Sequence, residues 1–185
     1  KADGRNWTYT DKGLTDGNTY EYKAYVRDAA FNEGPESAPY TIHMDSTAPV
    51  QTVAITEIMD DKLPGTGKVE NGKYTNDDTP TINGTISQAL SETEMVAVFR
   101  DGVFLDYAKV TGGTNWTLTD TLANDGRYSY TAKVVDKAGN IGPESTEYVI
   151  NLDTSVPAQT VKITSVLDDV KPFEGNIDKG GYTND

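Results

Sequence analysis

Apolar and polar residues alternate with a period of two along most of the chain. Tyr128, Tyr130, Ala132 and Val134 interleave with Ser129, Thr131, Lys133 and Val135. Tyr20, Tyr22, Ala24 and Val26 interleave with Glu21, Lys23, Tyr25 and Arg27 in the same way. Tyr148, Ile150 and Leu152 repeat the pattern, as do Trp116 and Leu118. A strand turns successive side chains to opposite faces, so this alternation predicts half-buried strands. Strands are expected near 50–57, 80–86, 94–100, 103–110, 114–119, 127–135 and 146–152. Asp101 before Gly102 and Asp125 before Gly126 mark turns, because glycine accepts positive φ. No amphipathic run has the length of a helix.

The chain also repeats itself. Residues 20–77 align without a gap on 128–185 at an offset of 108, with 29 of 58 positions identical. Residues 28–37 (DAAFNEGPES) match 136–145 (DKAGNIGPES), and Trp7 matches Trp116 at an offset of 109. Short polar stretches ending in Pro49 and Pro157 follow one strand run and precede another, which makes them linkers. The expected organisation is the C-terminal part of one repeat in 1–45, a complete repeat in 46–153, and the N-terminal part of a following repeat in 154–185, cut from a longer array. About seven short strands per ~108 residues predict an all-β fold, tandem immunoglobulin-like Greek-key sandwiches.

Composition narrows the chemistry. Sixteen Lys and Arg against 29 Asp and Glu give a net charge of −13, which disfavours nucleic acid and anionic membrane surfaces as partners. With no Cys, disulfides, thiolate zinc sites and a Cys nucleophile are excluded. His43 is the one histidine and alternates outward between Ile42 and Met44, so a surface role is expected rather than catalysis. No apolar run approaches the ~20 residues of a membrane-spanning helix, and the first residues do not resemble a secretion signal.

These residues carry a family resemblance. The Asp125 to Tyr128 corner, the Asp-x-Ala-Gly-Asn turn from Asp136 to Asn140, and the linkers after Asp45 and Asp153 resemble tandem bacterial Ig-like repeats. Such repeats build giant calcium-binding, non-fimbrial surface adhesins exported by type I secretion. The likeness spans the whole chain. It departs from antibody-type domains in lacking paired cysteines and in placing Trp116 on the fifth strand rather than the third.

Topology groups the acidic residues. Of the 29 acids 19 are Asp, and many fall in loops. Asp60 and Asp61 follow the first strand and Asp77 and Asp78 precede the second. All four therefore belong at the end of the sandwich far from where the chain enters, with Asp125 and Asp153. Asp136 and Asn140 join the sixth and seventh strands at the opposite end, within reach of the linker residue Asp45. Carboxylates crowded at a junction repel, and Ca²⁺ accepts 6–8 hard oxygen ligands. The resemblance implies calcium between units, held by Asp45, Asp136 and Asn140. Asp60, Asp61, Asp77, Asp78 and Asp153 are further candidates, with the repeat counterparts Asp28, Asn32, Asp168, Asp169 and Asp185. Zinc and copper, which favour His and Cys, are not expected. Asp and Asn are equally common in turns, where they bond their own backbone. Asp101 and Asp125 are read that way.

The recurrence of Trp7 and Trp116 points to the core over sugar stacking, and Tyr128 is expected to close its corner through its hydroxyl. Asn6, Asn83 and Asn115 are sequons by pattern only. Three functions follow. The first is a non-catalytic rod segment of a secreted adhesin, with neighbouring repeats as its partners and host-cell surface glycans reached through other repeats. The second is an Ig-like module that itself binds a host carbohydrate or protein, although no exposed aromatic cluster is evident. The third, a glycosidase using two carboxylates, fits repeated loops poorly.

Overall fold

The computed structural model describes residues 2–172 and 174–183. The chain forms two compact units, Lys1–Thr154 and Ser155–Asp185. In the first, β1 (Ala2–Asp3), β2 (Asn6–Trp7), β3 (Thr19–Tyr22) and β4 (Tyr40–His43) precede the sandwich. The sandwich contains β5 (Val53–Asp60), β6 (Gly67–Val69), β7 (Lys73–Thr75), β8 (Thr81–Ile86), β9 (Glu94–Arg100), β10 (Val103–Tyr107), β11 (Lys109–Thr111), β12 (Asn115–Thr119), β13 (Gly126–Asp136), β14 (Ile141–Glu144) and β15 (Tyr148–Leu152). The second unit holds β16 (Val166–Asp168) and β17 (Gly175–Ile177).

Two sheets face each other. One runs β11-β12-β8-β5-β6; the other runs β10-β9-β13-β15-β7, with β14 also paired to β13. Alternation supplies the core. Ile82 and Ile86 from one sheet meet Val96, Val98, Tyr130, Ala132, Val134 and Ile150 from the other, all of them buried. Trp116 is 2 % exposed and lies over Gly84, its cross-strand partner. A Cβ added at Gly84 would sit 2.2 Å from both the Ala54 carbonyl oxygen and the indole, so only glycine admits the ring. The result is an all-β, immunoglobulin-like sandwich.

Several elements differ from simple alternation. In β5 the pairing with β8 slips between Ile55 and Glu57, so Val53 and Ile55 face inward at odd positions but Ile58 and Asp60 at even ones. The single strand expected over 103–110 is two: β10 pairs with β9, and β11 crosses to pair with β12 in the other sheet. Three short strands lie outside the seven-strand reading. β6 and β7 are three residues each, and β14 contains Pro143, tolerated because that strand is an edge. β7 runs parallel to β15, while the other pairings of the sandwich are antiparallel.

The sequence repeat is also a repeat of register. Tyr20 pairs with Ile42 as Tyr128 pairs with Ile150. Val166 pairs with Ile177 as Ile58 pairs with Val69. Trp7, unlike Trp116, is 62 % exposed, because Gly84 and Ala54, which bury the indole of Trp116, have no counterparts within 1–45.

Candidate functional site

At the end of the sandwich where the chain enters, β13 terminates in Asp136, which closes its own loop. Asp136 Oδ1 accepts hydrogen bonds from the amides of Ala138 and Asn140, both at 2.9 Å, and Oδ2 accepts one from Asn140 Nδ2 at 2.8 Å. These donors, the Asn140 side chain foremost, hold the Asp136 carboxyl below its ordinary range. Asp28 repeats the geometry with Ala30 and Asn32, and its carboxyl is lowered by the same kind of donors. The turn needs a left-handed residue. Gly139 supplies it at φ 92°, whereas its counterpart Phe31 adopts φ 69° against its side chain.

The linker is drawn onto this loop. Asn140 Nδ2 also donates to the Asp45 carbonyl at 3.1 Å, so Asp45, Asp136 and Asn140 stand together. Asp45 Oδ1 accepts the Thr47 amide at 3.1 Å. Pro49 is buried against Gly142, where a Cβ would lie 2.8 Å from the Pro49 carbonyl oxygen. Asp16 holds the same linker from the other side by accepting the Ser46 hydroxyl at 3.0 Å and the Thr47 hydroxyl at 2.6 Å. Asp125 accepts both the amide and the hydroxyl of Thr154, at 2.9 and 2.7 Å, so it does more than make a turn. Asp16 escaped sequence reasoning. Its place before Gly17, matching Asp125 before Gly126 at an offset of 109, is the signal that finds it.

Two inward residues at this end were also missed. Glu94 stands opposite Asp136 in the β9–β13 ladder. Its Oε2 accepts the Ser91 amide at 2.7 Å and Gln51 Nε2 at 2.8 Å. Gln51 is 6 % exposed, and its Oε1 is buried with no hydrogen-bond partner among the described residues.

The far end is arranged differently. Asp60 and Asp77 are buried, and each of their oxygens has a protein donor. Asp60 accepts the Lys62 amide at 2.8 Å and the Thr75 hydroxyl at 2.5 Å. Asp77 accepts the Thr79 amide and hydroxyl on Oδ1, and the Asp61 amide on Oδ2. Half-buried Asp78 pairs with Lys62 Nζ at 2.7 Å, which lowers the Asp78 pKa and raises that of Lys62. The Asp153 amide donates to the Thr75 carbonyl at 2.9 Å. Asp168 repeats the Asp60 pattern with Val170 and Thr183, and Asp169 is exposed. Asp185 lies outside the described residues. Among the described residues no three Asp, Glu or His side chains gather into a metal cage.

Elsewhere, Tyr128 donates its hydroxyl to the Asn124 carbonyl at 2.6 Å, closing the corner, and His43 is exposed beside Thr19. The structure also corrects the expectation that no aromatic cluster is exposed. Phe99, Phe104 and Tyr107 form a chain of ring contacts with centroids 5.9 and 5.0 Å apart, and the last two residues are each 46 % exposed. Residues 104 and 107 would face opposite ways on a regular strand; the irregularity between Phe104 and Asp106 brings them together.

No curated protein matches this chain. Among solved structures it is similar to the Clostridium thermocellum CbhA fibronectin(III)-like modules, at 19 % identity and TM-score 0.35, over 57 % of this chain and 100 % of that one. It is also similar to CopC from Methylosinus trichosporium OB3b, at 15 % identity and TM-score 0.33, over 50 % and 91 %. At such TM-scores neither likeness adds to what the sheets show. No helix of the described residues is long and apolar enough to cross a membrane. Ig-like domains are typically non-catalytic structural modules, and the bacterial ones are often extracellular or on the cell surface. The family model described as "Bacterial Ig-like domain" matches residues 52–154, more than half of the chain, and the chain belongs to that family.

Proposed function

We propose that this chain is a non-catalytic structural segment of a large secreted bacterial surface adhesin, a run of Ig-like repeats stiffened at their junctions by Ca²⁺. Residues 1–45 and 154–185 act as parts of neighbouring repeats around the complete unit 46–153. The rod carries a distal tip away from the cell, where other repeats engage host glycans, and export follows the type I route. One observation supports this reading above the others: the Asn140 side chain reaches across to the Asp45 carbonyl at 3.1 Å while it braces Asp136. Linker and loop already share a contact at the place where a bridging ion would act.

The donor set there fits calcium. Asp45 and Asp136 carboxylates, the Asn140 amide and the Asp45 carbonyl offer hard oxygen and no nitrogen or sulfur ligand. A bound cation cancels the repulsion of the carboxylates and ties the linker to the loop. At both ends the buried carboxylates already have protein donors, so an ion at Asp136, or at Asp60, Asp61, Asp77 and Asp78, has to join or displace them; only at the entering end does a loop side chain also reach the linker. The test compares thermal melting and hydrodynamic radius in calcium and in chelator, for the wild type and for Asp136→Ala with Asn140→Ala. Calcium should raise the melting temperature and extend the wild-type particle, and should do neither in the double variant. Indistinguishable wild-type behaviour in the two buffers refutes the proposal.

A second reading has its own observation. The Phe99–Phe104–Tyr107 cluster gives the unit an exposed apolar patch of the kind through which an Ig-like module binds a carbohydrate or protein ligand directly. Glycan-array binding that Phe104→Ala abolishes would favour it.

A further inference from the structure

The turn between β6 and β7 needs a residue in the left-handed region, and Gly72 supplies it at φ 82°. The residue before it is Asn71. An asparagine side-chain amide is most open to attack by the next backbone nitrogen when that residue is glycine, which has no Cβ to obstruct the approach. The turn itself does not ask for asparagine. Its counterpart in the sequence repeat is Lys179 before Gly180, the glycine again left-handed at φ 87°. Asn71 therefore needs another account.

Its contacts supply one. Both groups that would react rest on a single residue of β15, Val149. The Gly72 amide, the nucleophile, donates to the Val149 carbonyl at 2.8 Å, and the Val149 amide donates to Asn71 Oδ1 at 2.8 Å. Asn71 Nδ2 reaches the Glu147 carbonyl only at 3.5 Å, whereas Asn151 Nδ2 braces the Gly72 carbonyl at 3.0 Å. The Asn71 side chain thus adds a rung to the parallel ladder of β7 on β15. While that rung holds, the nitrogen is engaged and the side-chain carbonyl cannot turn toward it. The lock is shallow. β7 is an edge strand of three residues, of which only Thr75 is buried, so it opens at lower cost than the whole sandwich.

We propose that Asn71 and Gly72 form a self-modification site, which turns separation of β7 from β15 into a covalent change. Once β7 lifts, the Gly72 nitrogen attacks Asn71 Cγ. The N–Cγ bond forms, the Cγ–Nδ2 bond breaks, and the Gly72 amide proton leaves with Nδ2 as ammonia. Both residues are exposed, so water reaches the cyclic imide and adds across it. Cleavage at Cγ leaves aspartate; cleavage at the main-chain carbonyl leaves isoaspartate, with the backbone rerouted through the side chain. Rerouting lengthens the main chain by a methylene and shortens the branch that met Val149, so the rung does not re-form. Asn83 and Gly84 carry the same dipeptide under opposite conditions. They lie within β8, between β12 and β5, with Trp116 over the glycine. There the reaction waits on unfolding of the whole unit.

The test follows the full chain in mildly alkaline buffer by peptide mapping, with and without denaturing urea, and measures aspartate and isoaspartate formed at both asparagines. Hydrogen exchange at the Gly72 amide reports opening separately. In native buffer Asn71 should convert roughly tenfold or more slowly than in urea, yet faster than Asn83. In urea the two should convert alike. Asn151→Ala, which removes the brace on Gly72, should raise the native rate at Asn71 in step with exchange of the Gly72 amide and leave the rate in urea unchanged. Equal native and urea rates at Asn71 would show that Val149 protects nothing. A native rate no faster than that of Asn83 would show that β7 does not open by itself. Either result overturns the inference, and both are read on the wild type, whatever the variant does. So does an Asn151→Ala chain whose Gly72 exchange quickens while Asn71 converts no faster.

Discussion

Replacing Gly84 by alanine tests the packing that makes the unit rigid. The new methyl would sit 2.2 Å from the Ala54 carbonyl oxygen and 2.2 Å from Trp116 Cζ2, where ordinary contact begins at 3.4 Å. Both neighbours must therefore retreat by roughly 1.2 Å, the difference of those two values. Neither can do so freely. The carbonyl belongs to the β5–β8 ladder, and the indole is 2 % exposed and tied through Nε1 to the Thr85 carbonyl at 3.3 Å. Overpacking costs about 1–3 kcal/mol, and two immovable neighbours put this site at the upper end, about 3 kcal/mol. For a unit of this size that lowers the melting temperature by roughly 10–20 °C. Urea unfolding in a Trp7→Phe background reads it cleanly, since Trp116 is then the sole tryptophan and reports its own surroundings. Adding Trp116→Phe, with unfolding followed by circular dichroism because no tryptophan then remains, should recover only the ring's share of the loss, because the clash with the Ala54 carbonyl persists. A loss below about 1 kcal/mol with unchanged Trp116 emission would refute the reasoning.

Tyr130 donates to buried Asp120 Oδ2 at 2.8 Å while Arg100 donates to both of that carboxylate's oxygens. Tyr130→Phe should therefore cost about 1–2 kcal/mol in chemical denaturation. Asp120→Ala should cost about 1–3 kcal/mol, because it leaves the buried Tyr130 hydroxyl without its acceptor while the partly exposed Arg100 guanidinium can rehydrate. Burial and the neighbouring Asp120 push the Tyr130 phenol far above its ordinary pKa, so its phenolate absorbance should appear only on alkaline unfolding. Acid should destabilise the fold. Asp136 is held low by Asn140, Asp28 by Asn32, and Glu144 by Thr131 and Lys133. The unfolded chain therefore binds more protons than the folded one between the depressed values and about 4–4.5, and stability falls as pH drops through that window. Melting temperatures should be level from pH 7 to 5 and decline below ~4.5; a level profile down to pH 3 would contradict the assignment.

Much of the architecture was legible because the core is built by alternation. Tyr130, Ala132 and Val134 point inward as their spacing demands, and the repeat predicts the shared register of Tyr20–Ile42 and Tyr128–Ile150. What alternation cannot show is where it breaks. The slip after Ile55 and the irregularity after Phe104 change which residues share a face, and local sequence does not announce either one. The grouping of Asp45 with Asp136 and Asn140 followed from topology. Gln51 and Glu94 did not, because their meeting depends on two inward faces closing at the same height.

The parallel pairing of β7 with β15 bears on how the unit responds to being pulled. The chain enters beside Asn140 and leaves beside Thr75, at opposite ends of the sandwich. Traction between those points draws β5 backward and β15 forward, and each is held by ladders that lie along the pull, β5 by β8 and β6 and β15 by β13 and β7. The Lys73–Thr75 ladder to Ile150–Leu152 then resists in shear, its bonds strained together rather than peeled apart in turn. A module wired in this way should yield late and all at once, because those bonds break together.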